Sequence, residues 1–220
     1  IKTTGFPCTQ TLMGLGAYPT SDHQCVGMLG MHGTYEANMS MYNCDLMICV
    51  GARFDDRITG KVSGFSPKSK KVHFDIDASS FNKSVNVDLT VQGDLSKILQ
   101  IINKKIEEKK IIFKEKKIKD WWSLINKWKS KDCLKFKNSD KIIKPQYALK
   151  RLDHLTKKYN PYITTEVGQH QMWAAQFLTF NKPKHWMTSG GLGTMGYGLP
   201  AAMGVQIAHP NSLVIDVAGE

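Results

Sequence analysis

The sequence predicts an α/β fold with parallel sheets, built twice along 220 residues. Short apolar runs such as LMICVG and SLVIDVAG read as strands that open into a glycine. KVHFDID is a further strand-like run, and it ends in acids. Between such runs lie segments whose apolar residues recur at helical spacing. Strands alternating with helices form parallel sheets, because a crossover helix returns the chain to the same end of the sheet.

Taken in order, GTYEANMSMYN (Gly33 to Asn43) places Tyr35, Met39 and Tyr42 at helical spacing. LMICVG (Leu46 to Gly51) is continuously apolar, which predicts a strand buried on both faces. KVHFDID (Lys71 to Asp77) is the second strand. Asp94 reads as the N-cap of DLSKILQIINKKIEEKK, with Leu95, Ile98, Leu99, Ile102 and Ile106 on one face. The lysine-rich stretch from about Lys109 to Pro145 holds WWSLINKW, whose Trp121, Ile125 and Trp128 share a helix face. It reads as an interdomain connector whose helix packs on a neighbouring domain. After Pro145 come a helix (QYALKRLDHL), a strand (PYITTEVG), a helix (QMWAAQFL), a strand-like segment, a glycine loop, a helix (LPAAMGVQIA) and a strand (SLVIDVAG). This is a second α/β unit with two obvious strands.

Composition narrows the class. The chain is 41% hydrophobic and 10% aromatic, which suits a globular core. No apolar run approaches the roughly 20 residues of a membrane span. The polar start without Met and the end at VIDVAGE lead us to expect a fragment with no signal peptide. Cys8, Cys25, Cys44, Cys49 and Cys133 lack metal-finger or CxxC spacing and are expected as reduced, mostly buried thiols of a cytosolic protein. The formal charge is +11, and residues 97–158 carry 20 Lys and Arg against 7 Asp and Glu, leaving 10 against 12 elsewhere. That stretch lacks the Arg, Gly and aromatic mixture of RNA-binding segments, so a solvated helical face is favoured over a polyanion site.

Three segments carry chemistry. In VGQHQMW a strand ends at Gly168 and a helix starts within two residues, which is where parallel α/β folds bind anions. His170 there is either a phosphate donor or a cap of its own helix. SGGLGTMGYGLPAA (Ser189 to Ala202) holds five glycines and one bulky Met195. Its bare backbone admits close approach of a ligand, and Met195 is either a wedge against a planar ring or ordinary core packing. VIDVAGE ends in Glu220, an acid just past a buried strand, of the kind that holds Mg²⁺.

Together, VGQHQMWAAQ and TSGGLGTMGYGLPAA closely resemble the acetohydroxyacid synthase family of thiamine-diphosphate enzymes. MLGMHGTYEAN, VGARFDDRITGK and HFDID resemble the same family's FAD-binding middle domain. The resemblance covers nearly the whole chain outside the lysine-rich connector. It implies two doubly wound parallel-sheet domains, both incomplete. Residues 1–110 are then the C-terminal part of the FAD-binding domain, 111–145 the connector, and 146–220 the N-terminal part of the thiamine-diphosphate domain.

The resemblance also implies roles. Gly168, Gln169 and His170 would contact the diphosphate, Gly193 the aminopyrimidine, and Met195 would hold the cofactor bent. FAD would lie on Leu29, Gly30, Met31, His32, Gly51, Ala52, Arg53, Asp55, Asp75, Ile76, Gly93 and Asp94. Arg57 would bind the carboxylate of a second 2-oxoacid, although an ion pair with Asp55 or Asp56 is its plain alternative. Glu220 stands where the family has its Mg²⁺-binding aspartate, one methylene longer. The implied activity is decarboxylation of pyruvate and transfer of the two-carbon unit to pyruvate or 2-oxobutyrate, with FAD structural. A homodimer of catalytic subunits, a small regulatory subunit, and a cytoplasmic, plastid or mitochondrial location are implied as well, with no nucleic-acid or membrane partner. The family's catalytic glutamate and second metal ligand fall outside this chain, so the fragment is not expected to be active alone. The rival readings are another thiamine-diphosphate carboligase or oxidase, such as a glyoxylate carboligase, and a basic nucleic-acid-binding protein.

Overall fold

The structure is a computed structural model and describes residues 1–219; Glu220 lies outside the described residues. Its strands are β1 (Cys8–Gln10), β2 (Cys25–Met28), β3 (Leu46–Val50), β4 (Lys70–Asp75), β5 (Leu89–Gln92), β6 (Tyr162–Thr165), β7 (Trp186–Thr188) and β8 (Val214–Val217). Its helices are α1 (Tyr35–Asn43), α2 (Asp56–Thr59), α3 (Leu95–Glu108), α4 (Glu115–Lys129), α5 (Pro145–Thr156), α6 (Gln169–Phe177) and α7 (Gly198–Ala208). Every strand pair is parallel, in three sheets ordered β1-β2, β3-β4-β5 and β7-β6-β8. The α/β class expected from the sequence is the class found.

Two compact units form: Ile1–Thr34 with Lys129–Glu220, and Tyr35–Trp128. In the first, the opening residues are fastened to the last third of the chain. Thr20 N donates to Phe180 O at 2.9 Å, and Phe180 N donates to Thr20 Oγ1 at 2.8 Å. The core of this unit gathers Leu15, Met28, Leu149, Ile163, Phe180 and Trp186. Its main sheet has β6 at the centre, with Ile163, Thr164 and Thr165 buried. From β6 the chain crosses to β7 on one side and then to β8 on the other. Right-handed crossovers in opposite directions place α6 and α7 on opposite faces, which makes the sheet doubly wound. The point of reversal is the end of β6, where such folds leave a crevice for ligands. The short β7 (WMT) brings this sheet to three strands, one more than the two obvious in the sequence.

In the second unit, β3, β4 and β5 run in chain order. Asp94 caps α3 as expected, accepting from Lys97 N at 3.0 Å. Trp121 and Trp128 of α4 meet edge to face at 5.6 Å, and Ile125 between them is buried. One expectation is corrected here. β3 is not buried on both faces: Cys49 is buried, while Leu46, Ile48 and Val50 are exposed. Side chains alternate across a strand, and β3 is the sheet's edge, with only one face packed among the described residues. The apolar face of α3 is likewise only half-covered, with Leu99 exposed and no residue of the helix fully buried.

Candidate functional site

The first unit brings the carboxyl ends of β6, β7 and β8 side by side, in register Thr165 with Thr188 and Thr165 with Val217. A buried polar network joins two of them. Gln171 Nε2 donates to Thr188 Oγ1 at 2.5 Å, and that hydroxyl shares a 2.8 Å bond with Thr165 Oγ1. On the other side Thr164 Oγ1 donates to Asp216 Oδ1 at 2.7 Å. Fully paired buried polar groups of this kind fix geometry, because leaving one unpaired is costly.

Two helix N-termini open at these strand ends, and they differ. That of α7 is filled from within the chain. Glu166, the residue after β6, accepts from Gly196 N (2.6 Å) and Tyr197 N (3.1 Å) on one oxygen. Its other oxygen accepts from Gly198 N (2.6 Å) and Leu199 N (3.4 Å). Partial burial pushes the Glu166 carboxyl up, but the N–H donors of Gly198, Gly196, Leu199 and Tyr197 outweigh it and hold it below the ordinary value. Sequence reasoning missed Glu166; an acid directly after a buried strand and two residues before a glycine turn was the available signal.

The N-terminus of α6 has no side-chain cap. Its first amides, in the Gly168–Gln169–His170 turn, have no partner within the helix, which makes the turn a ready anion site. His170 does not cap its own helix. Its ring lies against Gly168 and Gly219, where an added Cβ would come within 2.9 Å and 2.5 Å of ring atoms. Its Nε2 is buried with no hydrogen-bond partner among the described residues. The residues therefore suit a diphosphate: a helix start and an imidazole nitrogen that both lack a side-chain partner among the described residues, at the sheet's point of reversal.

The glycine loop leaves β7 and folds back on Ser189, whose Oγ accepts from Thr194 N (2.9 Å) and whose carbonyl accepts from Gly193 N (3.1 Å). Gly193 and Gly196 take φ of +66° and +81°, which L side chains rarely adopt. Met195 is 74% exposed, so core packing is not its role in this structure. A bare backbone with one apolar side chain standing free fits a flat ring lying along it.

In the second unit, Gly51, Asp75 with Ile76, and Gly93 with Asp94 all follow adjacent strand ends. Gly51 N donates to Phe74 O at 2.8 Å and Gly93 N to Asp75 O at 2.9 Å. Asp75 is buried, with Oδ1 accepting from Asp77 N at 2.9 Å and Oδ2 3.6 Å from the buried His73 Nε2. Ile76 is exposed. The turn after Gly51 and Ala52 carries Phe54 at φ +57°, a conformation costly for a bulky residue. Edge contacts of its buried ring with Phe65 (5.8 Å) and His73 (5.1 Å) hold it there. Arg53 and Asp55 face solvent on either side, paired at 2.8 Å. Arg57 pairs with Asp56 at 3.1 Å, and both are exposed. Exposed pairs are weak and exchange readily. These strand-end glycines and the buried Asp75 suit a nucleotide. Leu29, Gly30, Met31 and His32 follow β2 in the first unit, as a turn closed by Gly33 N to Gly30 O (2.9 Å) and Thr34 N to Met28 O (2.9 Å). Met31 is exposed, and the carbonyl of His32 accepts from Gln176 Nε2 at 2.8 Å.

Among the described residues no three His, Cys, Asp or Glu side chains gather in a way that holds a metal ion, and Glu220 is outside them. Nor is any helix among them long and apolar enough to cross a membrane.

Residues 1–102 match the model of the thiamine pyrophosphate enzyme central domain. Residues 166–220 match that of the thiamine pyrophosphate enzyme C-terminal TPP binding domain. The whole chain is 44% identical over 220 residues to the acetolactate synthase isozyme 3 large subunit of Escherichia coli (strain K12), covering 38% of that protein. It is 47% identical over 217 residues to the acetolactate synthase large subunit of Buchnera aphidicola subsp. Acyrthosiphon pisum, with 97% of this chain and 37% of that protein covered. To the chloroplastic acetolactate synthase of Arabidopsis thaliana it is 46% identical over 224 residues, all of this chain and 32% of that protein. The chain thus spans less than two fifths of the length of these relatives. A doubly wound sheet with the start of α6 at its reversal point, matched at both ends by models of one enzyme family, places the chain: it belongs to the thiamine pyrophosphate enzymes and is similar along its whole length to acetolactate synthase large subunits.

Proposed function

We propose that this chain is part of an acetolactate synthase large subunit. The reaction joins two pyruvates into acetolactate with loss of one CO₂, or pyruvate and 2-oxobutyrate into acetohydroxybutyrate. Thiamine diphosphate, when bound, supplies the carbon nucleophile and the electron sink that such a decarboxylation needs. The chain's own residues bind and orient. The uncapped amides at Gly168, Gln169 and His170 hold the diphosphate, with the orphaned His170 Nε2 as the observation that carries the assignment. Gly193 gives the aminopyrimidine close access to the backbone, and Met195 braces it. The Arg57 fork receives the carboxylate of the acceptor 2-oxoacid after giving up its surface pair with Asp56.

The remaining assignments are part of the same proposal. Residues 1–110, 111–145 and 146–220 correspond to middle-domain, connector and cofactor-domain segments. FAD takes the strand ends at Gly51, Ala52, Arg53, Asp55, Asp75, Ile76, Gly93 and Asp94; Leu29, Gly30, Met31 and His32 enter only through the family likeness. Mg²⁺ accompanies the diphosphate, with Glu220 as a ligand. Leu199, Met203 and Ile207 form an exposed apolar stripe on α7, which supports packing against a second catalytic subunit. A regulatory subunit and a cytoplasmic or organellar location follow the family. The test is an assay of the full-length protein with thiamine diphosphate and Mg²⁺. Acetolactate from pyruvate supports the proposal; tartronate semialdehyde from glyoxylate, without acetolactate, refutes it.

A further inference from the structure

We infer that Glu166 is a positioning residue: its carboxylate clamps four successive backbone amides, Gly196 to Leu199, and so fixes the loop that presents Met195. The inference rests on the cofactor reading above for its consequence, but the clamp itself stands on geometry alone. Both oxygens are used, two amides on each, at 2.6 to 3.4 Å. Between Ser189 and Gly196 the loop is held by local bonds to Ser189, which set its first half. Its second half is tied to the sheet by Glu166, which β6 holds rigidly, since Thr164 and Thr165 are both buried and bonded. Gly198 completes the fit. A Cβ there would come within 2.5 Å of Asp216 Oδ1 and 2.9 Å of Glu166 N, so the start of α7 sits directly on the strand ends. Glu166 also closes the α7 N-terminus to other anions, leaving the α6 N-terminus as the open one. Met195 precedes the clamp by one residue, and its place is inherited from Gly196.

The test uses the full-length protein and its Glu166→Ala and Glu166→Asp variants. Hydrogen exchange is followed in the peptide spanning residues 196–199 without ligand. Binding of thiamine diphosphate and of inorganic diphosphate, each with Mg²⁺, is then measured. Loss of protection in 196–199 is expected in Glu166→Ala, and partial loss in Glu166→Asp, whose shorter arm reaches fewer amides. Thiamine diphosphate should weaken roughly tenfold in Glu166→Ala, the equivalent of one charge-assisted hydrogen bond, while inorganic diphosphate binds unchanged. Equal weakening of both ligands shows a merely structural carboxylate and overturns the inference; so does protection that persists in Glu166→Ala. If Glu166→Ala does not fold, Glu166→Asp carries the same comparison. Should wild-type protein bind neither ligand while exchange responds as expected, the clamp stands and the cofactor reading falls.

Discussion

Two glycines of one helix show how local space decides the role of a residue. Gly198 begins α7 against Asp216, Glu166 and Thr165, with no room for a methyl group. Gly204 lies in the same helix with nothing within 4 Å of an added Cβ. Gly198→Ala is expected to destabilise by about 1–3 kcal/mol through overpacking. Gly204→Ala is expected to stabilise by roughly 0.5–1 kcal/mol through helix propensity. Urea unfolding of the two variants checks both signs. The thiols give a second residue-scale prediction. Burial pushes Cys8 and Cys49 up to about 11, and Cys133 is exposed. Iodoacetamide at pH 8 should therefore label Cys133 first and leave Cys8 and Cys49 unmodified until the protein unfolds; early labelling of Cys49 would count against its buried place beside Phe54. His170 was legible as a candidate because it sits in a strand-to-helix turn. Glu166 was not, because its partners lie thirty residues on and no local pattern links a carboxylate to amides at that distance.

At the scale of elements, β6 and β7 are joined by hydroxyls as well as by their ladder. Thr188→Val removes the oxygen shared by Gln171 and Thr165, stranding two buried polar groups. A loss of about 1–3 kcal/mol is expected, read by thermal unfolding, and Thr188→Ser should recover most of it. In the second unit, Asp88 ties the start of β5 to β4 through Lys70 Nζ (2.9 Å) and Lys71 N (2.8 Å). The Lys70 ammonium and the Lys71 amide hold its carboxyl below the ordinary value. A carboxyl lowered on folding contributes stability above its unfolded value, about 3.9, and that contribution fades as the pH falls through the lower folded value. Protection factors of β5 amides, taken against the intrinsic exchange rate at each pH, should therefore fall between pH 5 and pH 2 in the wild type and change less in Asp88→Asn. Element types were legible wherever periodicity was strong, as in α3, α4 and α5. The strands β5 (LTVQ) and β7 (WMT) are short and partly polar, so their identity comes from pairing with β4 and β6 rather than from their own residues. β3 misled for the opposite reason: five apolar residues look buried, but among the described residues only one face of the strand is covered.

For the whole molecule, the fold class was legible because alternation of strands and helices is a property of the entire chain. The grouping of residues 1–34 with the last third was not, since nothing local marks a segment that packs 160 residues away, as Ser21 does on Asn181. The excess of lysine between 97 and 158 raised a polyanion reading that the cofactor site does not use. One proposed placement is central: a thiazolium cofactor at the point where the β7-β6-β8 sheet reverses. A crystal structure of the full-length protein with thiamine diphosphate and Mg²⁺ tests this most directly. The diphosphate is expected on the amides of residues 168–170 and the pyrimidine along residues 193–195, with Glu166 still bonded to the start of α7. A diphosphate seated on α7 in place of Glu166, or a pyrimidine remote from Met195, would contradict it.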